Sequence, residues 1–312
     1  MLAYVVRRIL VTILVMAIVA ALVCGLLYVM PGDPAAIIAG EQASPADVER
    51  IRHSLGLDRA FPIRFAEWAW RLLQGDLGTS ISNLPVGALI AQRVAPTLSL
   101  MLITLVLAVA IAVPLGVLAA WKAGSLFDRA TMASAVLGFS VPVFVVGYVL
   151  VYVFALELNW LPVQGYAPLT AGVWPWLRHL ILPAIALGGV YIALIARITR
   201  AVMLDVLQKD YIRAARARGL GEGRILFVHA LKNASIPIAT VIGLGIAMLV
   251  GGAVVTESVF AIPGLGRLTV DSVLRRDYPV IQGLVLMFSF AYVLINLAVD
   301  LLYAALDPRI RA

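Results

Sequence analysis

Catalysis would require nucleophiles, bases or metal ligands that the chain brings together, and in this sequence such residues are sparse and scattered. His53, His179 and His229 fall in three separate segments, too far apart in the chain's organisation to share one metal, so no metal site is expected. Ser140, Ser235 and Ser289 lie in apolar stretches that contain no histidine, which leaves a serine hydrolase without its buried base. Lys122, Lys209 and Lys232 do not follow a glycine-rich turn, so a phosphate-cradling loop is missing. The run Gly219-Leu220-Gly221-Glu222-Gly223 lacks the third-glycine spacing and the preceding strand of a dinucleotide site. Cys24 is the single cysteine and has no intrachain partner. What remains is chemistry of position, carried by a few charged residues at the edges of apolar stretches.

Those edges are defined by composition. Of 312 residues, 62% are apolar and 13% are charged, with a mean hydropathy of +1.01; soluble domains carry roughly 45–50% and 25%. The chain therefore reads as an all-α integral membrane protein. Its 24 Lys and Arg against 17 Asp and Glu give a net charge of +7. In a membrane chain that excess belongs to loops held on the cytoplasmic side, and no nucleic-acid partner is expected.

A helix needs about 20 apolar residues to cross a bilayer. Six uncharged stretches qualify: Ile9–Met30, Val94–Trp121, Ala130–Leu156, Leu180–Ala196, Asn233–Thr256 and Tyr278–Val299. The stretch Leu158–Leu177 is broken by prolines and glycines and carries Trp160, Trp174 and Trp176, so it is predicted as an interfacial loop. The first stretch is longer than a signal-peptide core and ends without a clear cleavage site, and so is predicted as an uncleaved span. With the amino terminus inside, fourteen Lys and Arg, from Arg7 and Arg8 to Arg309 and Arg311, fall in cytoplasmic segments, against Arg178, Arg267, Arg275 and Arg276 in the two short outer loops. Both termini are predicted to be cytoplasmic.

Two segments exceed what a connection needs. Residues 1–93 comprise the first span and a long extracytoplasmic insertion; residues 94–312 form a five-span core. In the insertion, Ser44-Pro45-Ala46-Asp47 is a capping hydroxyl followed by proline at the first helical position, and that helix is predicted to run to Leu55 and stop at Gly56. A second helix is predicted at Ile63–Leu73, ending at Gly75, with Phe65, Trp68, Ala69 and Leu72 on one face. That face either packs on the first spans and headgroups or docks an external protein. The other long segment, Arg197–Lys232, is cytoplasmic. Its Ala- and Arg-rich stretch from Asp210 predicts a helix that Gly219 terminates. Small Ala214, Ala215 and Gly219 allow another surface to approach closely; a solvated basic loop is the plainer alternative.

The spacing Arg213-Ala214-Ala215, Gly219, Leu231 resembles the cytoplasmic EAA loop (about 204–232) of ABC importer permeases. With Asp210, Leu220, His229, Asn233 and Pro237 it is similar to the dipeptide/oligopeptide/nickel branch. Arg213 replaces the usual glutamate and His229 the usual isoleucine, both as in that branch; Lys232 stands where proline is usual. Pro31-Gly32-Asp33-Pro34, Leu55-Gly56-Leu57-Asp58 and Gly75-Asp76-Leu77-Gly78 resemble the amino-terminal half of its B-type subunit. The run Glu257 to Arg267, Arg276-Asp277-Tyr278-Pro279 and Leu306-Asp307-Pro308-Arg309 resemble the carboxy-terminal half. The resemblance implies the six-helix architecture of a type I importer permease. It also implies a second homologous permease, two ABC ATPase subunits and an extracytoplasmic substrate-binding protein as partners, in a bacterial plasma membrane. This chain would hold no cofactor, ATP and magnesium being bound by the ATPase subunits. A groove on the ATPase would receive Asp210, Tyr211, Arg213, Ala214, Ala215, Arg216, Arg218, Gly219 and Leu220, with the charges setting orientation more than affinity.

Three residues are candidates for the substrate path or a gate. Glu257 is an acid at a membrane boundary, where acids often function; a structural hydrogen bond or hydration is the alternative. Pro142 breaks a span, beside Ser140. Asp300 is expected to pair with an arginine. Gly188, Gly189, Gly243, Gly245, Gly251 and Gly252 are expected to let helices pack closely. An ion-coupled secondary transporter is the competing class, but it calls for ionisable groups at mid-membrane and often an internal repeat; the middles of all six stretches are uncharged.

Overall fold

The structure is a computed structural model that describes residues 2–29, 33–39, 43–54 and 56–306. Among these residues thirteen α-helices follow in chain order: α1 (Leu2–Val29), α2 (Pro34–Ala39), α3 (Pro45–Ser54), α4 (Phe61–Leu73), α5 (Val86–Trp121), α6 (Leu126–Ser140), α7 (Val143–Leu150), α8 (Val173–Leu207), α9 (Asp210–Ala217), α10 (Glu222–Arg224), α11 (Leu231–Val259), α12 (Leu265–Arg275) and α13 (Tyr278–Leu306). Among the described residues the only strand-like feature is a single antiparallel bridge between Thr79 and Pro85. Backbone groups in hydrocarbon must be satisfied within the chain, and helices do this locally.

Among the described residues five helices are long and apolar enough to cross a membrane, and α6 with α7 makes a sixth if that pair is one span bent by 102°. The third apolar stretch is therefore not one straight helix. Pro142 removes a backbone donor and pushes Val141 into an extended conformation (φ −92°, ψ 123°), as a residue before proline prefers. After α7 the chain continues as a π-helix over Val151–Glu157. The predicted loop up to Leu177 is shorter than expected: α8 begins at Val173, with Pro175 in its first turn, where a missing donor costs nothing. At 35 and 36 residues, α8 and α5 rise about 50 Å against a hydrocarbon core of about 30 Å, so both project beyond it.

The chain divides into two compact units. One comprises Met1–Ala95 and Arg267–Leu297. In it Ala20, Val23 and Leu286 pack with Phe65, Trp68 and Leu72, so the aromatic face of α4 is taken up by α1 and α13. Ser44 caps α3: its hydroxyl accepts the Asp47 N–H at 3.2 Å while its own backbone N–H donates to the Asp47 carboxylate at 3.3 Å, the reciprocal arrangement of a capping box, and the hydroxyl donates to the same carboxylate at 2.7 Å. Gly56 (φ +63°) follows α3 as expected; Leu55 itself lies outside the described residues. So do Pro31, Gly32 and Asp307–Arg309 of the resembling motifs, and the Asp300 side chain.

The other unit, Pro96–Gly266 with Ala298–Ala312, is built on α8. Leu180, Leu182, Leu187 and Ile195 of α8 are buried with Leu100 and Ala108 of α5 and Leu249 and Ala253 of α11. A Cβ on Gly116 would sit 2.6 Å from Thr199 Cβ, and one on Gly252 2.7 Å from Leu187 Cδ1, so these glycines set the approach of α5 and α11 to α8. Gly189 and Gly251 have nothing within 4 Å of such a Cβ and do not serve the close packing expected of them.

Two outcomes follow. Gly116→Leu is expected to lower the melting temperature of the purified protein by several degrees, the scale of an overpacking cost of about 1–3 kcal/mol, while Gly189→Ala leaves it unchanged or raised. The Ser44 hydrogen bond holds the Asp47 carboxyl below its ordinary range. A depressed acid stabilises above its unfolded pKa and loses that contribution as pH falls through the lower folded value. Hydrogen-exchange protection of α3 relative to Ser44→Ala should therefore be full at neutral pH and start to shrink as pH falls below about 4, keeping the part that comes from the Ser44 hydroxyl accepting the Asp47 N–H.

Candidate functional site

The Asp210–Leu220 residues form one small device. Alternation of charge and apolar bulk makes α9 amphipathic: Ile212 is fully buried, while Asp210, Tyr211, Arg213, Ala214, Arg216 and Arg218 are exposed. Ile212 enters a cluster formed by Val117 and Ala120 of α5, Met203 of α8, Ile225, Leu226 and Ala230 of the following π-helical turn, and Ala234 and Ile238 of α11. Through this cluster, which Leu220 also packs against, α9 is joined to a core shared by the ends of three long helices. Ala215 turns toward the same core, so of the three small residues singled out in the sequence Ala214 and Gly219 face outward, and Ala217 is exposed with them.

The end of α9 is set by backbone geometry. Gly219 adopts φ +78°; its N–H bonds to the Arg216 carbonyl at 2.9 Å and that of Leu220 to the Ala215 carbonyl at 3.3 Å, the two bonds of a Schellman cap. A Cβ there would meet nothing within 4 Å, so glycine is required for its dihedral and not for space inside the chain. Arg216 grips Glu222 with two bonds, 2.8 and 3.3 Å, and the carboxylate raises the guanidinium pKa further. That pair closes the turn after α9. Arg213 reaches Asp210 at 3.4 Å on the exposed face, a contact worth little by itself.

A second clasp braces the same end of this unit and was not foreseen. Arg200 of α8 forms a two-pronged ion pair with Asp128 of α6, whose side chain is only 4% exposed. Asp128 also accepts the Gly124 N–H at 2.9 Å, and Ser125 caps α6 through the Asp128 N–H. The α5–α6 turn is thereby tied to α8 nearly two turns before α8 ends. The sequence signal is an acid two residues before the apolar stretch that begins at Ala130.

Glu257 is 0% exposed, which removes hydration as its role. Thr97 of α5 donates its hydroxyl to Glu257 Oε1 at 2.5 Å and accepts the Leu265 N–H at 2.8 Å. The intervening turn folds over the acid: Ile262 N–H bonds to the Glu257 carbonyl at 2.9 Å, and Gly264 N–H to the Ile262 carbonyl at 2.8 Å. A Cβ on Gly264 would collide with the Glu257 carboxylate, and one on Gly266 with the Val254 backbone. The Pro263-Gly264-Leu265-Gly266 run is thus a lid on a buried carboxylate. Pro142 is the N-cap of α7, and Ser140 returns its hydroxyl to the Val136 carbonyl of its own helix at 3.0 Å.

This arrangement has known relatives. Residues 112–312 match the family described as binding-protein-dependent transport system inner membrane component, and residues 1–92 match the amino-terminal part of such membrane components. The chain belongs to that family. A probable peptide ABC transporter permease of Sinorhizobium fredii is 51% identical over 309 residues, covering 99% of both chains. The glutathione transport system permease of Pectobacterium atrosepticum is 46% identical, over 100% of this chain and 99% of its own length. An inward-facing structure of the MetNI methionine ABC transporter shares the fold, with TM-score 0.59 and 18% identity over 70% of this chain and 96% of that one.

The protein is thus a multi-pass ABC importer permease, a translocation component that is not itself an enzyme and that works with ATPase and substrate-binding partners. These relatives lend the ion-coupled alternative no support. In this permease the Glu257 lid is testable as a coupled pair. Gly264→Ala alone should destabilise the purified protein by about 1–3 kcal/mol through overpacking. In a Glu257→Ala background the collision is gone, so the same change should cost at least about 1 kcal/mol less, read from a double-mutant cycle of unfolding midpoints.

Proposed function

We propose that this permease carries small peptides inward, with α9 as the lever through which an ATPase subunit drives it. The observation that carries the reading is the seating of α9: one buried isoleucine locks it to the ends of α5, α8 and α11, while an exposed face of Tyr211, Arg213, Ala214, Arg218 and Gly219 is left for another surface. Pushing on that face displaces three long helices together, because a packed core transmits strain and does not absorb it. The peptide cargo is supported by full-length relatives named for peptide and glutathione transport. The excess of cations supports cytoplasmic termini and a cytoplasmic α9. Nucleotide and magnesium belong to the ATPase subunits, and a second, homologous permease completes the path. Glu257, with the Pro142 break and Ser140, remains our candidate for the gate.

The coupling test uses two variants, because Gly219→Asp also strains the left-handed residue. Ala214→Glu changes only the outward face. Both are expected to reduce recovery of ATPase subunits with the tagged permease at least tenfold, while the permease itself stays folded in membranes. A cysteine at Tyr211 should react with a membrane-impermeant maleimide only in inside-out vesicles. Labelling from the cell exterior, or undiminished ATPase recovery with Ala214→Glu, would overturn the reading.

A further inference from the structure

The unit of Met1–Ala95 and Arg267–Leu297 contains a cleft of about 170 Å³ whose lining includes Ser82, Arg93, Asp271, Ser272, Arg275 and Asp277. Its charges are not equally committed. Asp277 is 5% exposed and holds the Ser80 hydroxyl at 2.5 Å and the Ile81 N–H at 3.4 Å, so it builds the wall. Arg93, Asp271 and Arg275 form no ion pair with a described residue. Ser272 is 4% exposed as a residue and stands in the cleft lining beside them. Charged side chains that line a cavity without pairing with one another keep their hydrogen-bonding capacity open to a ligand.

The ligand chemistry follows from the groups. Two guanidiniums offer planar forks that match a carboxylate, one free carboxylate matches an ammonium, and the uncommitted balance is one positive charge. Arg93 belongs to the first turns of α5, ahead of its uncharged stretch, and Asp271 and Arg275 to α12, ahead of α13. Under the orientation proposed above, all three lie on the outer side. We propose that this cleft is an outer binding site for a small zwitterionic peptide: Arg93 and Arg275 hold its carboxylate, Asp271 its ammonium group, and Ser272 donates a further hydrogen bond. The proposal rests on the peptide-importer reading for its side and its cargo class.

The test measures binding of trialanine and of its carboxy-terminal amide to the complete transporter in nanodiscs, without the external binding protein. Loss of a charge-assisted pair predicts about 10- to 100-fold weaker binding of the amide. R93Q/R275Q should weaken trialanine by a similar factor and leave the amide unchanged, and R93K/R275K, which keeps the charge, should recover part of the loss. Equal binding of acid and amide, or wild-type binding by R93Q/R275Q, overturns the proposal. If R93Q/R275Q binds trialanine normally but loses stimulation of ATP hydrolysis by the external binding protein, the carboxylate comes from that protein and the cargo assignment falls. ATPase recovery with the wild-type chain is scored separately: its failure strikes the coupling reading, while failure of the acid preference strikes the cleft alone.

Discussion

A polar group inside an apolar bundle has no water to fall back on, so each one must meet its partner within the chain or not be there. This permease buries few polar groups, and three pairs of them hold junctions, whereas the Thr104 and Thr199 hydroxyls are buried without a partner among the described residues. Thr97 and Glu257 close the turn after α11. Asp128 and Arg200 tie the α5–α6 turn to α8, and Ser80 and Asp277 hold the loop before α5 to the start of α13. Losing one member of such a pair leaves the other buried and unmatched, which is why these few contacts matter more than their number suggests.

The apolar contacts between helices supply adhesion without much direction. Large residues on α1, such as Leu10, Leu14 and Leu22, are more than half exposed, as suits a surface that meets lipid or another apolar helix. Direction comes from close approach, where Gly116 and Gly252 leave no room for a side chain, and from the polar clasps. Mechanical coupling then needs only an attachment point. Ile212 provides one, since its burial joins α9 to a core made from three helices.

Much of the fold was legible in the chain because membrane spans advertise themselves by length and lack of charge. The capped helix at Ser44 and the amphipathic α4 were equally plain, since capping and periodicity are local. Two boundaries moved. The helix α8 starts at Val173 because proline within a first turn is harmless, though proline, glycine and tryptophan together read as loop. The stretch from Ala130 breaks at Pro142 because local conformation, and not hydropathy, decides whether a helix continues. At the candidate site, Asp210–Leu220 was readable from spacing and from its terminating glycine, and Glu257 was visible as an isolated acid.

What the sequence alone determined is the class of solvent this chain accepts, the apolar stretches that can enter it, and the presence of a short helix too polar to be a span. These are properties of neighbouring residues and need no partner to be read. Only the tertiary structure decided that Thr97 meets Glu257 across 160 positions, Asp128 meets Arg200 across 72, and Ser80 meets Asp277 across 197. It alone turned Ile212 inward and gathered Arg93, Asp271 and Arg275 around one cleft. Such pairings depend on how helices rotate and stack, which is set by the sum of many weak contacts and by the glycines that allow close approach, and no local pattern in the chain records that sum.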